Sequence, residues 1–308
     1  MPEADVHEQL VEAATDIYGS HSGHRALHAK ASWARGTFTA SAEAGRLSRA
    51  AHLSGEPIEA LVRFSNASGD PQANDAARDG RGMAVKLRWD GGETDILATT
   101  VPTFATRTPG DFLELLRLRR PDPETGQPDM EKLGAWLGEH PEAGPAIQAV
   151  LMKEPLRSFA TAPYFSPHAF ALIDADGNRA WVRWRFSPEA GEERIPDDDA
   201  RALGRDYLHE DLAERLATQT IAFELEFQRA NDDDPLEDLT RPWGDEDHDV
   251  VPGGRLEIAE LVEDPERDGH IDVFDPNRIV DGIELSDDPI LLASREAYSV
   301  SAYRRWDR

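Results

Sequence analysis

The chain has 308 residues, with 60 acidic and 33 basic side chains, a formal charge of −27 and no cysteine. The missing cysteines exclude disulfides, thiolate ligation of a metal and iron–sulfur clusters. The negative charge argues against a nucleic-acid partner, because binding phosphates requires a basic face. Hydrophobic residues make up 39% of the chain, which is enough for the core of one large domain over residues 1–308.

The first ten residues and the lengths of the apolar stretches indicate the expected cellular location. Residues 1–10 are acidic and polar, and they lack the basic-then-apolar order of a secretory signal. No apolar stretch approaches the roughly 18 residues of a membrane span. The sequence therefore predicts a cytoplasmic protein without a membrane span.

The first third of the chain is predicted to hold one helix followed by strands. An amphipathic helix is predicted over residues 3–18, and the glycine-containing segment 19–23 ends it. Runs that suit strands then follow at 36–41, 60–65, 82–89 and 94–100. Short turns join them, which favours an antiparallel sheet or barrel.

The rest of the chain mixes helices and strands. Helices are predicted at 109–119, 129–137, 141–153, 198–217 and 286–305. A hairpin is predicted at 170–186, and further strands at 220–230 and 254–262. The acidic segment 231–250 is interpreted as a solvated loop.

Two side chains far apart in the sequence suggest chemistry on a haem. The ordinary pKa of histidine lies near neutral pH, so His28 could take a proton from one peroxide oxygen and return it to the other. A hydrogen bond from Ser65 could fix the tautomer of the ring. Tyr298 could bind iron as a phenolate if a cation lowers its pKa from about 10. Arg295 lies three residues earlier on the same predicted helix. The alternative for Tyr298 is a core aromatic residue.

Arginines near these residues could bind the haem propionates. Guanidinium groups pair with carboxylates through two parallel hydrogen bonds, and Arg25, Arg63 and Arg305 are the candidates. Ordinary surface ion pairs are the alternative interpretation.

Four motifs resemble those of the haem catalases. They are R-x-x-H-A-K at 25–30, V-R-F-S at 62–65, R-D-x-R-G-x-A-V-K at 78–86 and the C-terminal R-x-A-Y-S-V-S-A-Y-R-R at 295–305. The last is similar to the proximal helix of the small catalase-related peroxidases. The resemblance implies an α+β fold, with an antiparallel β-barrel of the catalase type surrounded by helices and without the extra C-terminal domain of large catalases. It also implies haem b (iron protoporphyrin IX).

The resemblance assigns roles to individual residues. His28 becomes the distal base with Ser65 as its partner, and Tyr298 becomes the iron ligand. Arg25, Arg63 and Arg305 become contacts of the propionates or of the ligand side. Asp79 is expected near the substrate channel.

The sequence departs from the catalase pattern at two positions. Where catalases have a distal Asn shortly before T-P, this chain has Thr100, whose hydroxyl offers one donor where an amide offers two. Arg295 precedes Tyr298 by three residues, whereas catalases space the two by four. Catalase activity needs a second peroxide, which reduces the oxidised haem. We expect the shorter Thr100 side chain to bind this second peroxide less tightly than an asparagine would.

The expected function is a haem peroxidase that reduces hydrogen peroxide or organic hydroperoxides with a small organic electron donor and has weak catalase activity at most. Two alternatives stay open at this point. One is a fatty-acid hydroperoxide isomerase, although Leu27 is apolar, as in catalases, where the isomerases have a polar residue. The other is a barrel that binds haem or a lipid without turnover. A homodimer is compatible with the sequence.

Overall fold

The computed structural model describes residues 5–244, 246–268 and 271–306. Within these residues, ten strands pair antiparallel in one continuous sheet. The strands are β1 (Ala31–Ala40), β2 (Ile58–Asn66), β3 (Arg81–Trp89), β4 (Gly92–Thr99), β5 (Tyr164–Phe165), β6 (Phe170–Ile173), β7 (Arg179–Pro188), β8 (Ile221–Arg229), β9 (Val250–Val262) and β10 (Ile283–Leu285).

Eight of these strands close into a barrel. Their order is β7, β5, β4, β3, β2, β1, β9, β8, and the pairing of β8 with β7 completes the ring. β6 pairs with the other end of β7, and β10 pairs with β6 outside the ring. The predicted antiparallel barrel surrounded by helices is therefore confirmed.

The barrel interior is a packed core. The rings of Phe64, Phe159, Tyr164 and Phe223 lie in a cluster with centroid separations of 5.5 to 6.3 Å. All four side chains are fully buried. Because aromatic side chains fill this space, a ligand has to bind outside the barrel wall.

Strand alternation places a second set of side chains on the outer face of the barrel. Successive side chains on a strand point to opposite faces. In β2, Val62 and Phe64 belong to the barrel core, whereas Arg63 and Ser65 face outward. In β3 and β4 the outward residues include Gly82, Ala84, Leu97 and Thr99.

Helices cover this outer face. The helices among the described residues are α1 (Val6–Tyr18), α2 (Ala42–Leu47), α3 (Pro109–Leu118), α4 (Met130–Glu139), α5 (Gly144–Leu151), α6 (Asp197–Ala202), α7 (Tyr207–Leu216) and α8 (Pro289–Trp306). α1 and α3 pack together through Leu10, Ala13, Leu113 and Leu116, in a small core separate from that of the barrel, and α8 contacts both helices. Among the described residues, no helix is both long enough and apolar enough to cross a bilayer.

Several element boundaries differ from the predictions. The helix predicted at 198–217 is two helices, α6 and α7, because Gly204 adopts φ +101° between them. The last helix begins at Pro289, since the Asp288 carboxylate accepts a hydrogen bond from the Ile290 N–H (2.8 Å) and caps it. β1 begins at Ala31, five residues before the predicted start. Residues 3–4 of the first predicted helix lie outside the described residues.

Candidate active site

A cavity of about 330 Å³ lies between the outer face of β2–β4 and helices α1, α3 and α8. Apolar side chains from all of these elements form most of its wall, including Val11, Leu97 and Phe112. The charged and polar side chains that line it come from both ends of the chain. They include Arg25, His28, Arg63, Ser65, Thr99, His168, Tyr298 and Arg305.

His28 is held at the cavity wall by its backbone as well as by its ring. It is the described non-glycine residue with positive φ, at +57°. Its N–H donates to the Ala67 carbonyl (3.2 Å), and Arg63 Nη2 donates to the His28 carbonyl (2.7 Å). Nδ1 lies 2.9 Å from Ser65 Oγ, so the structure joins the predicted pair. The left-handed backbone therefore directs the ring at Ser65 and the cavity.

Gly82 makes room for the imidazole. It pairs with Ser65 across β2 and β3. A Cβ at this position would lie 3.0 Å from the His28 ring and 2.9 Å from Ser65 Oγ. Only glycine allows the ring to approach the sheet this closely.

The surroundings of His28 keep its imidazole neutral. Burial, together with the positive charges of Arg63, Arg25 and Arg81, lowers the pKa of His28 to about 3. A neutral imidazole has one nitrogen without a proton, so it can accept a proton from a bound molecule without first having to release one to water. His28 can therefore act as a base over the ordinary pH range.

Three buried guanidinium groups meet at one edge of the cavity, and we call Arg25, Arg63 and Arg305 the arginine cluster. Their side chains are 16%, 5% and 7% exposed. Glu266 is the carboxylate among them, with Oε1 at 3.1 Å from Arg25 Nη2 and 3.4 Å from Arg305 Nη2. Burial and the neighbouring Arg25 lower the pKa of Arg305 to about 10.

The cluster has hydrogen-bonding capacity left over. The Nε–H groups of all three arginines are buried and donate to no partner among the described residues. Arg63 and Arg25 lie over the Trp33 ring, with Cζ at 5.5 and 5.7 Å from its centroid, which partly offsets their loss of hydration. Three guanidinium groups outnumber the carboxylates of Glu266 and Asp264 that act on them, so the cluster keeps a net positive charge, which suits a ligand that carries carboxylates.

Tyr298 faces the same cavity from α8. The side chain is 37% exposed and lies at the cavity wall, where the surrounding protein removes water from the phenol. This desolvation, with the charge of Asp275 acting in the same direction, raises the pKa of the phenol to about 12, and Arg25 opposes this. The structure does not bring Arg295 to Tyr298. Arg295 is 67% exposed, and its Nε lies 3.8 Å from Asp275 Oδ2. Arg25 is therefore the cation that acts on the phenol, in place of the predicted Arg295.

The structure brings Thr99, and not Thr100, to the cavity. Thr99 is the last residue of β4 and pairs with Gly82. Thr100 is 7% exposed and lies outside the cavity, where its Oγ1 accepts a hydrogen bond from the Arg81 N–H (3.0 Å). Adjacent residues of a strand point to opposite faces, so a shift of one residue exchanges the two hydroxyls.

Asp79 also lies outside the cavity wall. Its Oδ2 accepts a hydrogen bond from the Ser68 N–H (2.9 Å), and it lies 3.6 Å from the Arg81 guanidinium. Burial raises its pKa. Asp79 therefore ties two loops together beside the His28 segment.

The sequence interpretation missed three polar residues of the site. Thr99 could have been found from the alternation of β4. His168 bonds through Nδ1 to Asp288 Oδ2 (2.6 Å), ahead of α8. Glu266 lies in a short 3-10 turn (Pro265–Asp268), where no sequence period indicates which way a side chain points.

Comparisons with known proteins agree with this architecture. The family model described as Catalase matches residues 7–307. A catalase-related peroxidase of Mycolicibacterium paratuberculosis is 39% identical over 97% of this chain and 94% of the relative. One from Synechococcus elongatus is 30% identical over 97% of this chain and 88% of the relative.

Solved structures show the same fold. A fungal catalase superposes with a TM-score of 0.83 at 24% identity, covering 93% of this chain and 60% of the fungal chain. Catalase A from Saccharomyces cerevisiae superposes with a TM-score of 0.82 at 21% identity, covering 93% and 62%. From the match to the family model and the two peroxidase relatives, this chain belongs to the catalase family.

Proposed function

We propose that this protein is a haem-dependent peroxidase that reduces hydrogen peroxide or an organic hydroperoxide with a small organic electron donor. The observation that carries the proposal is that His28 and Tyr298 line one cavity whose edge holds the arginine cluster. The two relatives named catalase-related peroxidase support it. The donor gives up two electrons and two protons, and the peroxide leaves as water, or as an alcohol and water.

The residues present fit haem b, and catalase-family proteins bind haem. The wall is mostly apolar, the arginine cluster carries a net positive charge for propionates, and its Nε atoms lack partners among the described residues. Tyr298 offers a phenol oxygen, and a tyrosine holds the haem iron in catalases. Bound haem would supply the iron that binds peroxide and exchanges electrons. Residues 1–308 would act as one haem-binding domain.

His28 would move the proton. Its neutral imidazole takes a proton from one peroxide oxygen and delivers it to the departing oxygen. Ser65 Oγ at Nδ1 fixes the ring orientation and the tautomer. Both residues are held by the sheet and by the left-handed backbone, so the ring is oriented before the substrate enters.

Tyr298 would hold the metal through its phenol oxygen. With a pKa of about 12, the phenol keeps its proton at neutral pH unless a metal charge replaces it. Asp275 nearby makes the oxygen more basic. A basic phenolate donates electron density to its metal, which favours cleavage of the O–O bond.

The Thr99 side chain is expected to limit the disproportionation of hydrogen peroxide. Disproportionation requires the site to hold and orient a second peroxide. A threonine hydroxyl offers one donor on a short side chain, where an amide would offer two. An organic donor is therefore expected to be the main reductant.

The test combines spectroscopy with two variants. Protein loaded with haem b should show a five-coordinate high-spin ferric spectrum with phenolate character, and Tyr298→Phe should abolish that character. His28→Ala should keep the spectrum and slow the reaction with peroxide by about 100- to 10,000-fold. An unchanged spectrum in Tyr298→Phe, or an unchanged rate in His28→Ala, would contradict the proposal. Rearrangement of a fatty-acid hydroperoxide without a donor would indicate an isomerase instead.

A further inference from the structure

Glu266 places one carboxylate oxygen between two guanidinium groups of the arginine cluster. A single oxygen, Oε1, contacts Arg25 at 3.1 Å and Arg305 at 3.4 Å. The same oxygen accepts the Asp272 N–H at 3.1 Å. The side chain is 10% exposed, so its charge is weakly screened by water.

The cluster needs an anion when no ligand is present. Three guanidinium groups that are 16% exposed or less repel one another, and burial alone already disfavours their charge. The pKa of Arg63 is well below its usual range because of burial and Arg25, and Glu266 opposes this decrease. The Trp33 ring offsets part of the loss of hydration but carries no net charge.

We propose that Glu266 is the resident counter-ion of the arginine cluster and competes with the carboxylates of an entering ligand for Arg25 and Arg305. The identity of that ligand, haem, rests on the proposed function, whereas the counter-ion role does not. Glu266 offsets one of the three positive charges of the cluster through direct contacts, and Asp264 acts on Arg63 and Arg305 as well. Without Glu266 the cluster keeps one more uncompensated positive charge, which strengthens binding of a dianion and weakens the unloaded protein.

The counter-ion role is tested on the unloaded protein. Glu266→Gln keeps the shape and removes the charge, and Glu263→Gln removes the same charge from an exposed neighbour. At low salt, Glu266→Gln should lower Tm by several degrees, and added sulfate should restore most of the loss. Glu263→Gln should leave Tm within a degree of wild type. Equal Tm values for the two variants would overturn the counter-ion role.

The competition is tested by haem binding. Transfer of haem from a reference haem protein, followed by Soret absorbance, compares haem with its uncharged dimethyl ester. Glu266→Gln should bind haem about tenfold more tightly than wild type and bind the ester equally well. Unchanged or weaker haem binding would overturn the competition. If none of the proteins binds haem, the proposed function and the competition both fail, and the melting comparison still decides the counter-ion role.

Discussion

At the scale of single residues, the backbone of His28 is as informative as its ring. A non-glycine residue in the left-handed region is strained, and such strain persists only where the surroundings enforce it. Here Ala67 and Arg63 bond its N–H and carbonyl. The direction of the imidazole is therefore fixed by main-chain contacts that a substitution of Ser65 would leave in place.

Gly82→Ala tests how closely the ring must approach the sheet. The new Cβ would lie about 3 Å from the His28 ring, so the ring must move toward the cavity. We expect the reaction with peroxide to slow by about 100-fold, because a displacement of about 1 Å can have that effect. Unfolding in urea should show a loss of about 1–3 kcal/mol. Gly134→Ala, on a helix with open space around it, is the control and should change neither quantity for the worse.

Thr99 and Thr100 make a matched pair of test positions. Thr99→Asn adds a second donor in the cavity, and we expect oxygen release from hydrogen peroxide to rise about tenfold. Thr100→Val should leave oxygen release unchanged and destabilise the fold by about 1–3 kcal/mol, because the Arg81 N–H loses its hydroxyl partner. Oxygen-electrode assays and urea unfolding measure the two effects. A rise in oxygen release for Thr100→Asn, with none for Thr99→Asn, would reverse the assignment.

Residue types in motifs predicted part of the site. His28, Ser65 and the arginine cluster stand in motifs, and the structure brings them to one cavity with Tyr298. Counting from a motif points to Thr100, but counting cannot tell which face of β4 a residue occupies. Helical spacing points to Arg295, but its side chain is 67% exposed and lies near Asp275 rather than at Tyr298.

At the scale of elements, the segment leading to α8 is fixed to the barrel by buried charges. Lys86 and Asp95 are fully buried side chains with Nζ and Oδ1 2.8 Å apart. Asp95 also accepts the Asp275 N–H and pairs with Arg278. Burial raises the pKa of Asp95 to about 6 although Lys86 opposes it. This pair therefore ties β3 and β4 to the residues that enter the Tyr298 helix.

Lys86→Met is expected to be strongly destabilising. It removes the fully buried partner of Asp95 and leaves only the partly exposed Arg278, and breaking a buried ion pair removes about 3–5 kcal/mol of the free energy of unfolding. Lys132→Met is the control, since Lys132 is 72% exposed and its pair with Asp129 is a surface contact. The control should change stability by less than about 1 kcal/mol. Equal losses in urea unfolding would show that the buried pair does not hold the segment.

Long elements were predictable and short ones were not. β2, β3, β4 and β8 each have eight or nine residues, which is long enough for an apolar run or, in β8, a clear alternation to show in the sequence. β5 and β10 have two and three residues, so only tertiary contacts define them as strands. The prediction of a single helix at 198–217 was wrong, because helix-forming residues on both sides of Gly204 concealed the break there.

At the scale of the whole molecule, burial of histidines makes stability depend on pH. Burial lowers the pKa of His52 from 6.5 to about 4. The pKa of His209 is lowered to about 4 by burial too. Between these values the unfolded chain binds a proton that the folded chain does not. Stability should therefore fall as the pH decreases from 6.5 to 4 and should not change further through these groups below 4.

His52→Phe isolates one of these contributions. His52 is 2% exposed, and its shift corresponds to about 3 kcal/mol between pH 6.5 and 4. The variant keeps an aromatic ring beside Trp89 and should lose less stability than wild type over that range. Urea unfolding at several pH values measures the slope, with the exposed His24→Phe as control. A slope in His52→Phe equal to that of wild type would contradict the assignment.

The barrel could be predicted, whereas the cavity could not. Strands joined by short turns favour a closed antiparallel sheet whichever residues line its outside. The cavity depends on how α1, α3 and α8 meet over β2–β4, and that packing joins residues from the two ends of the chain. The position of Glu266 in the arginine cluster could not be predicted either, because tertiary packing brings its turn to arginines that are distant in the sequence.

One helix supplies both Tyr298 and Arg305. Arg305 follows Tyr298 by seven positions, and an α-helix rises 1.5 Å per residue, so the two lie roughly 10 Å apart along α8. The helix therefore sets a fixed distance between the Tyr298 phenol and the arginine cluster. Changes of side chain between the two positions preserve this spacing, but losing or gaining one residue would turn Arg305 by about 100° around the axis. Selection should accordingly tolerate substitutions within 299–304 and reject any change in the length of that segment.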